Sequence, residues 1–264
     1  MGCCFGKKRN GDRYADDNGS RGRQKSRLSK MFTKAGGMKP DSGIELGRFT
    51  LTTVTDDFIA SMCGLSQVGH YAYTQDTTLV FSKLGEASPI KSLKAHDRFI
   101  NQITSCQNMV YTASADRKVK MWNSQCENMA PLATFTGHEL AVTSLTTNAD
   151  NTLLATGGKD YRMKIFDVEK TTEICGEMIN RNVITSLRWF PNEDSTILQT
   201  GEDLQMRIWD IRVDEIKADI VVPVGKNFAI CNDISPDGNH IITGHRGFDG
   251  VGCGLKLWDR RNLS

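Results

Sequence analysis

The stretch ADRKVKMWN, residues 115–123, sets a pattern that returns as KDYRMKIFD (159–167), EDLQMRIWD (202–210) and GCGLKLWD (252–259), with a fainter copy, QDTTLVFS, at 75–82. Each copy joins a turn to a short run of alternating residues, then an aromatic, then a polar residue. The apolar residues before each aromatic alternate at period two, which builds a strand and excludes a helix, where they would recur every three or four. Counted on Phe81, Trp122, Phe166, Trp209 and Trp258, the repeats are 41, 44, 43 and 49 residues apart. A repeat of about 40 to 45 residues is the length of one four-stranded antiparallel blade of a propeller.

Two upstream signals run with this period. Gly137 and His138 precede one strand start, Ala95 and His96 stand in the same place one repeat earlier, and each pair lies about 28 residues before its aromatic. The turn aspartates Asp76, Asp116, Asp160 and Asp203 keep nearly the same spacing. With these residues the chain resembles a WD-repeat beta-propeller of the WD40 type. The resemblance implies a buried hydrogen-bonded set in each blade: a loop histidine, a strand-b serine or threonine, the b-to-c aspartate and the strand-c tryptophan. His96, Thr112, Asp116 and Trp122 match all four positions. His138, Thr156 and Asp160 match three, and Phe166, with no indole N–H, ends the set there. The fourth repeat keeps Asp203 and Trp209, has Asn182 near the histidine position, and offers Gln199 or Thr200 on strand b.

The expected fold class is all-β, a propeller of about five blades over residues 45–264, with blades at about 55–93, 96–135, 138–178, 181–223 and 226–264. Residues 1–44 are expected to be a disordered basic tail. The resemblance implies seven blades as the usual number, so an incomplete seven-blade ring is favoured over a closed five-blade ring. In the closed alternative Arg48 to Val54 would supply the outer strand of blade five against Leu255 to Asp259.

A formal charge of +2 hides an asymmetry: residues 1–39 carry 11 Lys/Arg against 3 Asp/Glu, and the remainder 22 against 28. A basic arm is thus joined to a mildly acidic body. The first residues, MGCCFGKKR, read as a lipid anchor, with Gly2 as myristoyl acceptor, Cys3 and Cys4 as palmitoylation sites, and Lys7, Lys8 and Arg9 facing anionic headgroups. One acyl chain binds a bilayer only marginally, and a second chain or a basic patch makes attachment stable. Gly6 stands where serine or threonine is usual. No apolar run approaches the roughly 20 residues of a membrane span. The eight cysteines include no C-x-x-C, so metal and disulfide frameworks are not indicated, and the thiols outside the terminus are expected to be mostly small buried hydrophobes.

Catalytic signatures are missing from the pattern. The glycines at 247, 250, 252 and 254 lack the strand–turn–helix of a phosphate-binding loop, no G-x-S-x-G elbow occurs, and the five histidines fall in separate repeats without ligand spacing. No enzyme, cofactor or metal is expected, and recognition falls to the loops. Arg98, Glu139, Lys159, Tyr161, Arg181, Arg246 and Phe248 are the candidate partner surface. Their mixed signs suit a protein better than nucleic acid, which asks for a consistently basic surface. RNVITSLRW (181–189), ILQTGED (197–203) and GFDGVGCGLKLWD (247–259) further resemble a lipid-anchored subgroup of the same family. That resemblance implies a peripheral scaffold on the cytoplasmic face of a plasma or ciliary membrane, acting in trafficking with small-GTPase regulators. The alternative is a soluble propeller subunit of a protein or nucleic-acid-associated complex, or a truncated product without function.

Overall fold

Alternation of apolar and polar residues gives strands with two distinct faces, and short turns between them leave antiparallel hairpins as the local solution. The computed structural model describes residues 59–86, 88–125, 130–174, 178–179, 182–212, 218–247 and 252–263. All of these lie in the unit Leu51–Ser264. Arg48 to Val54, and with it the proposed closing strand, lies outside the described residues.

Among the described residues twenty strands form five antiparallel sheets, one per repeat. Blade one has β1 (Ile59–Gly64), β2 (His70–Gln75), β3 (Thr78–Lys83) and β4 (Lys91–Lys94). Blade two has β5 (Ile100–Cys106), β6 (Met109–Ser114), β7 (Val119–Asn123) and β8 (Ala133–Phe135). In blade three, β9 (Val142–Thr147), β10 (Leu153–Gly158) and β11 (Arg162–Asp167) are followed by two short pieces, β12 (Thr172–Glu173) and β13 (Met178–Ile179), both paired with β11. Blade four has β14 (Ile184–Trp189), β15 (Thr196–Gly201), β16 (Gln205–Asp210) and β17 (Ala218–Pro223). Blade five has three strands among the described residues, β18 (Phe228–Ile234), β19 (His240–Arg246) and β20 (Gly254–Asp259). The fold is all-β, and the described residues form five blades of a WD40-type propeller.

The first strands of successive blades touch in chain order, β1 to β5 to β9 to β14 to β18, and no contact of like extent joins β18 to β1 among the described residues. The core therefore lies between blades. Each blade turns one face forward, toward the next repeat, and one rearward. The forward residues Tyr111, Ala113 and Val119 of blade two pack on the rear residues Leu154 and Phe166 of blade three. Ala155, Met163 and Ile165 of blade three meet Trp209 and Ile197 of blade four, and Leu198, Met206 and Ile208 of blade four meet Ala229, Ile241 and Trp258 of blade five. Packing is tight enough that a methyl group built on Gly157 would lie 2.6 Å from Ile184 Cγ2.

Blade one departs from the expected register. Its b-to-c turn holds two residues, since Gln75 pairs with Thr78, whereas in blade two Ser114 faces Lys118 across three. Counting outward from each turn, Tyr71–Ser82 occupies the place of Val110–Trp122. Ser82, not Phe81, is thus the counterpart of Trp122, and Phe81 points forward into the blade-two core. Deleting one residue from a turn flips a strand of period two.

Candidate functional site

In blade two, the chain before β5 and the β6–β7 turn come together through side chains. His96 Nδ1 donates to Asp116 Oδ2 at 2.8 Å, Thr112 Oγ1 lies 2.8 Å from His96 Nε2, and Trp122 Nε1 donates to Thr112 Oγ1 at 3.0 Å. With a neutral imidazole protonated on Nδ1, every donor has one acceptor: indole to hydroxyl, hydroxyl to Nε2, Nδ1 to carboxylate. Burial lowers the His96 pKa, outweighing the hydrogen bond and charge of Asp116, and so favours this neutral form. Burial works to raise the Asp116 carboxyl, but the hydrogen bond and charge of His96 and the amides of Lys118 and Asp97 bring it below its ordinary value. Asp116 also orders the turn. Its Oδ1 accepts from Lys118 N at 3.0 Å and its Oδ2 from Asp97 N at 3.3 Å.

Blade three repeats this up to its last member. His138 reaches Asp160 Oδ2 and Thr156 Oγ1, both at 2.8 Å. Asp160 accepts from Glu139 N at 3.0 Å and Arg162 N at 3.3 Å, and Phe166 fills the tryptophan position in the core between blades two and three. In blade four Trp209 Nε1 donates to Gln199 Oε1 at 2.6 Å. Thr200 instead meets Thr185 and Asn232. Asn182 accepts from the amide of Val183 next to it, and Asp203 takes Arg207 as its partner.

Two features escaped the sequence reading. In blade five His245, on strand β19 itself, replaces the loop histidine. Its Nε2 lies 2.8 Å from Thr243 Oγ1, which accepts from Trp258 Nε1 at 2.8 Å, and its Nδ1 donates to Asn227 O at 3.2 Å. The signal available was the T-x-H spacing opposite a tryptophan. The second feature is a basic residue two before each of the last four aromatics, visible as KMW, KIF, RIW and KLW. Lys120 Nζ donates to Ala95 O at 2.7 Å, Lys256 Nζ donates to Val224 O, and Lys164 pairs with Glu173 at 2.9 Å. Lys120 and Lys256 also lie over Trp122 and Trp258, 5.9 and 5.7 Å from the ring centroids. The thiols differ from expectation as well. Burial pushes Cys63 up to about 11, and Cys106 is half-buried, but Cys231 and Cys253 are exposed.

These ties bring the d-to-a and b-to-c loops to one rim. Arg98, Glu139, Lys159 and Arg246 are exposed there, and Glu139 pairs with Arg162 at 3.1 Å. Tyr161 is 44% exposed. It has φ +67°, matching Arg117 at +73° and Leu204 at +62° one residue after their turn aspartates. A bulky side chain is uncommon at positive φ, and the asparagine-like turn made by Asp160 holds it there. Leu140, beside Glu139, is also exposed. Arg181 and Phe248, like Gly2, Cys3, Cys4, Lys7, Lys8 and Arg9, lie outside the described residues. No group of three or more His, Cys, Asp or Glu side chains able to hold a metal ion occurs among the described residues.

Fold and site together define a β-propeller built of repeats similar to those of the WD40 type. The family model described as WD domain, G-beta repeat, matches residues 87–123 and 129–167, the two blades with the histidine–aspartate tie. Curated relatives with which the chain is similar include eukaryotic translation initiation factor 3 subunit I of Drosophila grimshawi, 28% identical over 179 residues, covering 64% of this chain and 53% of that protein. The proteins of the same name from Drosophila pseudoobscura pseudoobscura (29%, the same coverage) and Nematostella vectensis (27% over 159 residues, 58% and 49%) are alike in this respect. The chain spans about half the length of the curated relatives it matches.

These findings correct the narrower expectations. The resemblance to the lipid-anchored subgroup, that of WD repeat-containing protein thirty-one, does not stand, because the matched relatives carry the name of a translation initiation factor subunit. With it fall the lipoprotein reading with myristate and palmitate, the membrane-trafficking scaffold, and the plasma or ciliary membrane as its location. Among the described residues no helix is long and apolar enough to cross a membrane. Those of the residues carrying the narrower resemblance that are described lie in β14, β15, β20 and the ends of their turns, where strand packing common to such blades discriminates poorly between subgroups.

Proposed function

We propose that this chain is a non-catalytic scaffold subunit that presents its loop rim to other proteins within a multisubunit assembly. The observation that carries this reading is the rim in blades two and three. There His96–Asp116 and His138–Asp160 fix paired loops, so Arg98, Glu139, Leu140, Lys159 and Tyr161 are held out on a rigid base. Preorganised side chains lose little freedom on binding, and a tyrosine and a leucine framed by charges make a suitable anchor with a polar surround. The alternation of sign along the rim favours a protein partner over phosphate. The names of the matched relatives, each a subunit of a larger factor, support membership of an assembly.

The test is isolation of the tagged full-length chain from cells, with partners mapped by cross-linking. A variant with Arg98→Glu, Leu140→Ser and Tyr161→Ala should melt like the wild type and lose the stoichiometric partners. Retention of every partner by that variant, with cross-links falling elsewhere, would overturn the reading.

A further inference from the structure

Blades two and three pack between neighbours on both sides, against blade one and blade four, so the exposure of their loop rim is not that of a sheet face awaiting a neighbour. Charges on this rim do not balance. Asp116 and Asp160 are engaged by the imidazoles and the turn amides, and Glu139 is paired with Arg162. Arg98, Arg117, Lys118 and Lys159 are exposed, and their side chains form no ion pair among the described residues. Against these four cations stands one exposed carboxylate without a cation of its own, Asp97. The loops form one surface: Ser114 Oγ donates to Arg98 O at 3.0 Å, Asn101 Nδ2 to Val142 O at 2.6 Å, and Lys159 N to Ala141 O at 2.8 Å. Exposed Leu140 and Tyr161 lie on it. Arg117 and Tyr161 hold positive φ, where glycine would sit without strain, and strain kept at an exposed residue points to a use for its side chain.

On the reading that this rim is where the scaffold binds, we infer that it takes an acidic peptide segment of another protein, carrying one large apolar side chain. Its carboxylates meet Arg98, Arg117, Lys118 and Lys159, and its apolar group sits against Leu140 and Tyr161. Unpaired cations around an aromatic anchor are complementary to such a segment in charge and in shape. The chain's own arm is an unsuitable occupant, since residues 1–39 carry 11 Lys/Arg against 3 Asp/Glu and the rim would repel it. A nucleic acid fits less well. Asp97 and Glu139 would stand against its phosphates, and a leucine gives a base no face on which to stack. Exposed ion pairs contribute little each, so the cations set which partner approaches and the apolar anchor supplies much of the hold.

The experiment is fluorescence anisotropy on the full chain with labelled probes: a short peptide of alternating aspartate and glutamate around one phenylalanine, the same peptide with asparagine and glutamine for the acids, the acidic peptide with glycine for phenylalanine, and oligouridylate. The first should bind, and its affinity should fall as salt rises from about 0.05 to 0.5 M. The other three should bind at least about tenfold more weakly. Arg117→Glu combined with Lys159→Glu should weaken the first peptide by at least about tenfold and leave the melting temperature near that of the wild type, because both side chains are exposed. Lys83→Glu with Lys170→Glu, the same change of charge at the opposite ends of the blades, should leave binding unaltered. Failure of the acidic peptide to bind, equal or tighter binding of the neutral peptide or of oligouridylate, or indifference to the rim reversal would each overturn the inference. Should cellular partners still depend on the rim in that event, the scaffold reading stands and the acidic partner falls.

Discussion

Replacing Asp116 with alanine removes the acceptor for three donors, His96 Nδ1, Asp97 N and Lys118 N. They are not equal. Asp97 and Lys118 are exposed, so water can satisfy their amides, but the His96 side chain has no exposed surface, and its Nδ1–H would be left buried and unpaired. One such donor costs about 1 to 3 kcal/mol. For a body of this size about 2 kcal/mol lowers the melting temperature by roughly 4 to 8 °C. Asp160→Ala should cost the same, because His138, Glu139 and Arg162 supply an equivalent set of donors; the missing indole of blade three lies at the far end of the relay. Asp116→Asn keeps one oxygen facing Nδ1 and should recover at least half the loss. Urea unfolding followed by tryptophan fluorescence gives the energies, and hydrogen exchange at the amides of residues 97 and 118 shows whether the turn loosens. If asparagine costs as much as alanine, or Asp116→Ala is neutral, the hydrogen bond to the imidazole is not what holds these loops.

Gly157→Ala should destabilise by about 1 to 3 kcal/mol through overpacking, as its new methyl would press on Ile184 and Leu187; an unchanged urea midpoint would mean that blades three and four can slide apart. Burial holds the His96 pKa below its ordinary 6.5, so the unfolded chain takes up the proton first, and stability should fall as pH drops below about 6.5 and hold above it. His96→Gln should flatten that slope between pH 7.5 and 5.5, and an equally steep slope in the variant would assign it to other groups. His245→Ala should cost about 1 to 2 kcal/mol by leaving Thr243 Oγ1 without its imidazole partner, with faster hydrogen exchange confined to blade five; loss of protection spread evenly over all blades would show that His245 serves no local tie.

The repeat and its buried sets were legible because they rest on residue types with little chemical substitute. Only a histidine can bridge Thr112 and Asp116, and only a turn aspartate can serve both Lys118 N and the imidazole. Blade one was misread because the bulkier Phe81 drew the alignment, although six residues separate aspartate from aromatic in blades two to four and only five in blade one. A strand of period two gives no credit for being one residue off. Gln199 was distinguishable from Thr200 by spacing, since Thr112, Thr156 and Gln199 each stand four residues before their turn aspartate, and the equivalent strand pairs Thr112–Lys120 and Gln199–Arg207 bear this out. The exposure of Leu255 and Leu257 among the described residues was not legible at all, since their sequence, LKLWD, is that of a covered strand. Burial there depends on what lies opposite, which local pattern does not encode. The narrower family resemblance misled for a related reason, that blade strands share their constraints across many proteins.

In blades two and three the histidine lies in one loop and its carboxylate in another, so each loop's length is hostage to the other's. His245 has moved onto the same strand as its threonine and leans on a backbone carbonyl, and the bond that crosses between the two loops of blade five among the described residues runs from Asn227 Nδ2 to Gly252 O at 2.7 Å, with no carboxylate in it. The β19–β20 connection runs over 247–253, where the corresponding connections are 159–161 and 202–204. A cross-loop tie that ends on a backbone carbonyl asks only for a peptide oxygen at its far end, which any residue supplies, so this connection can change in length and sequence with less damage to its blade than a loop that must place a carboxylate.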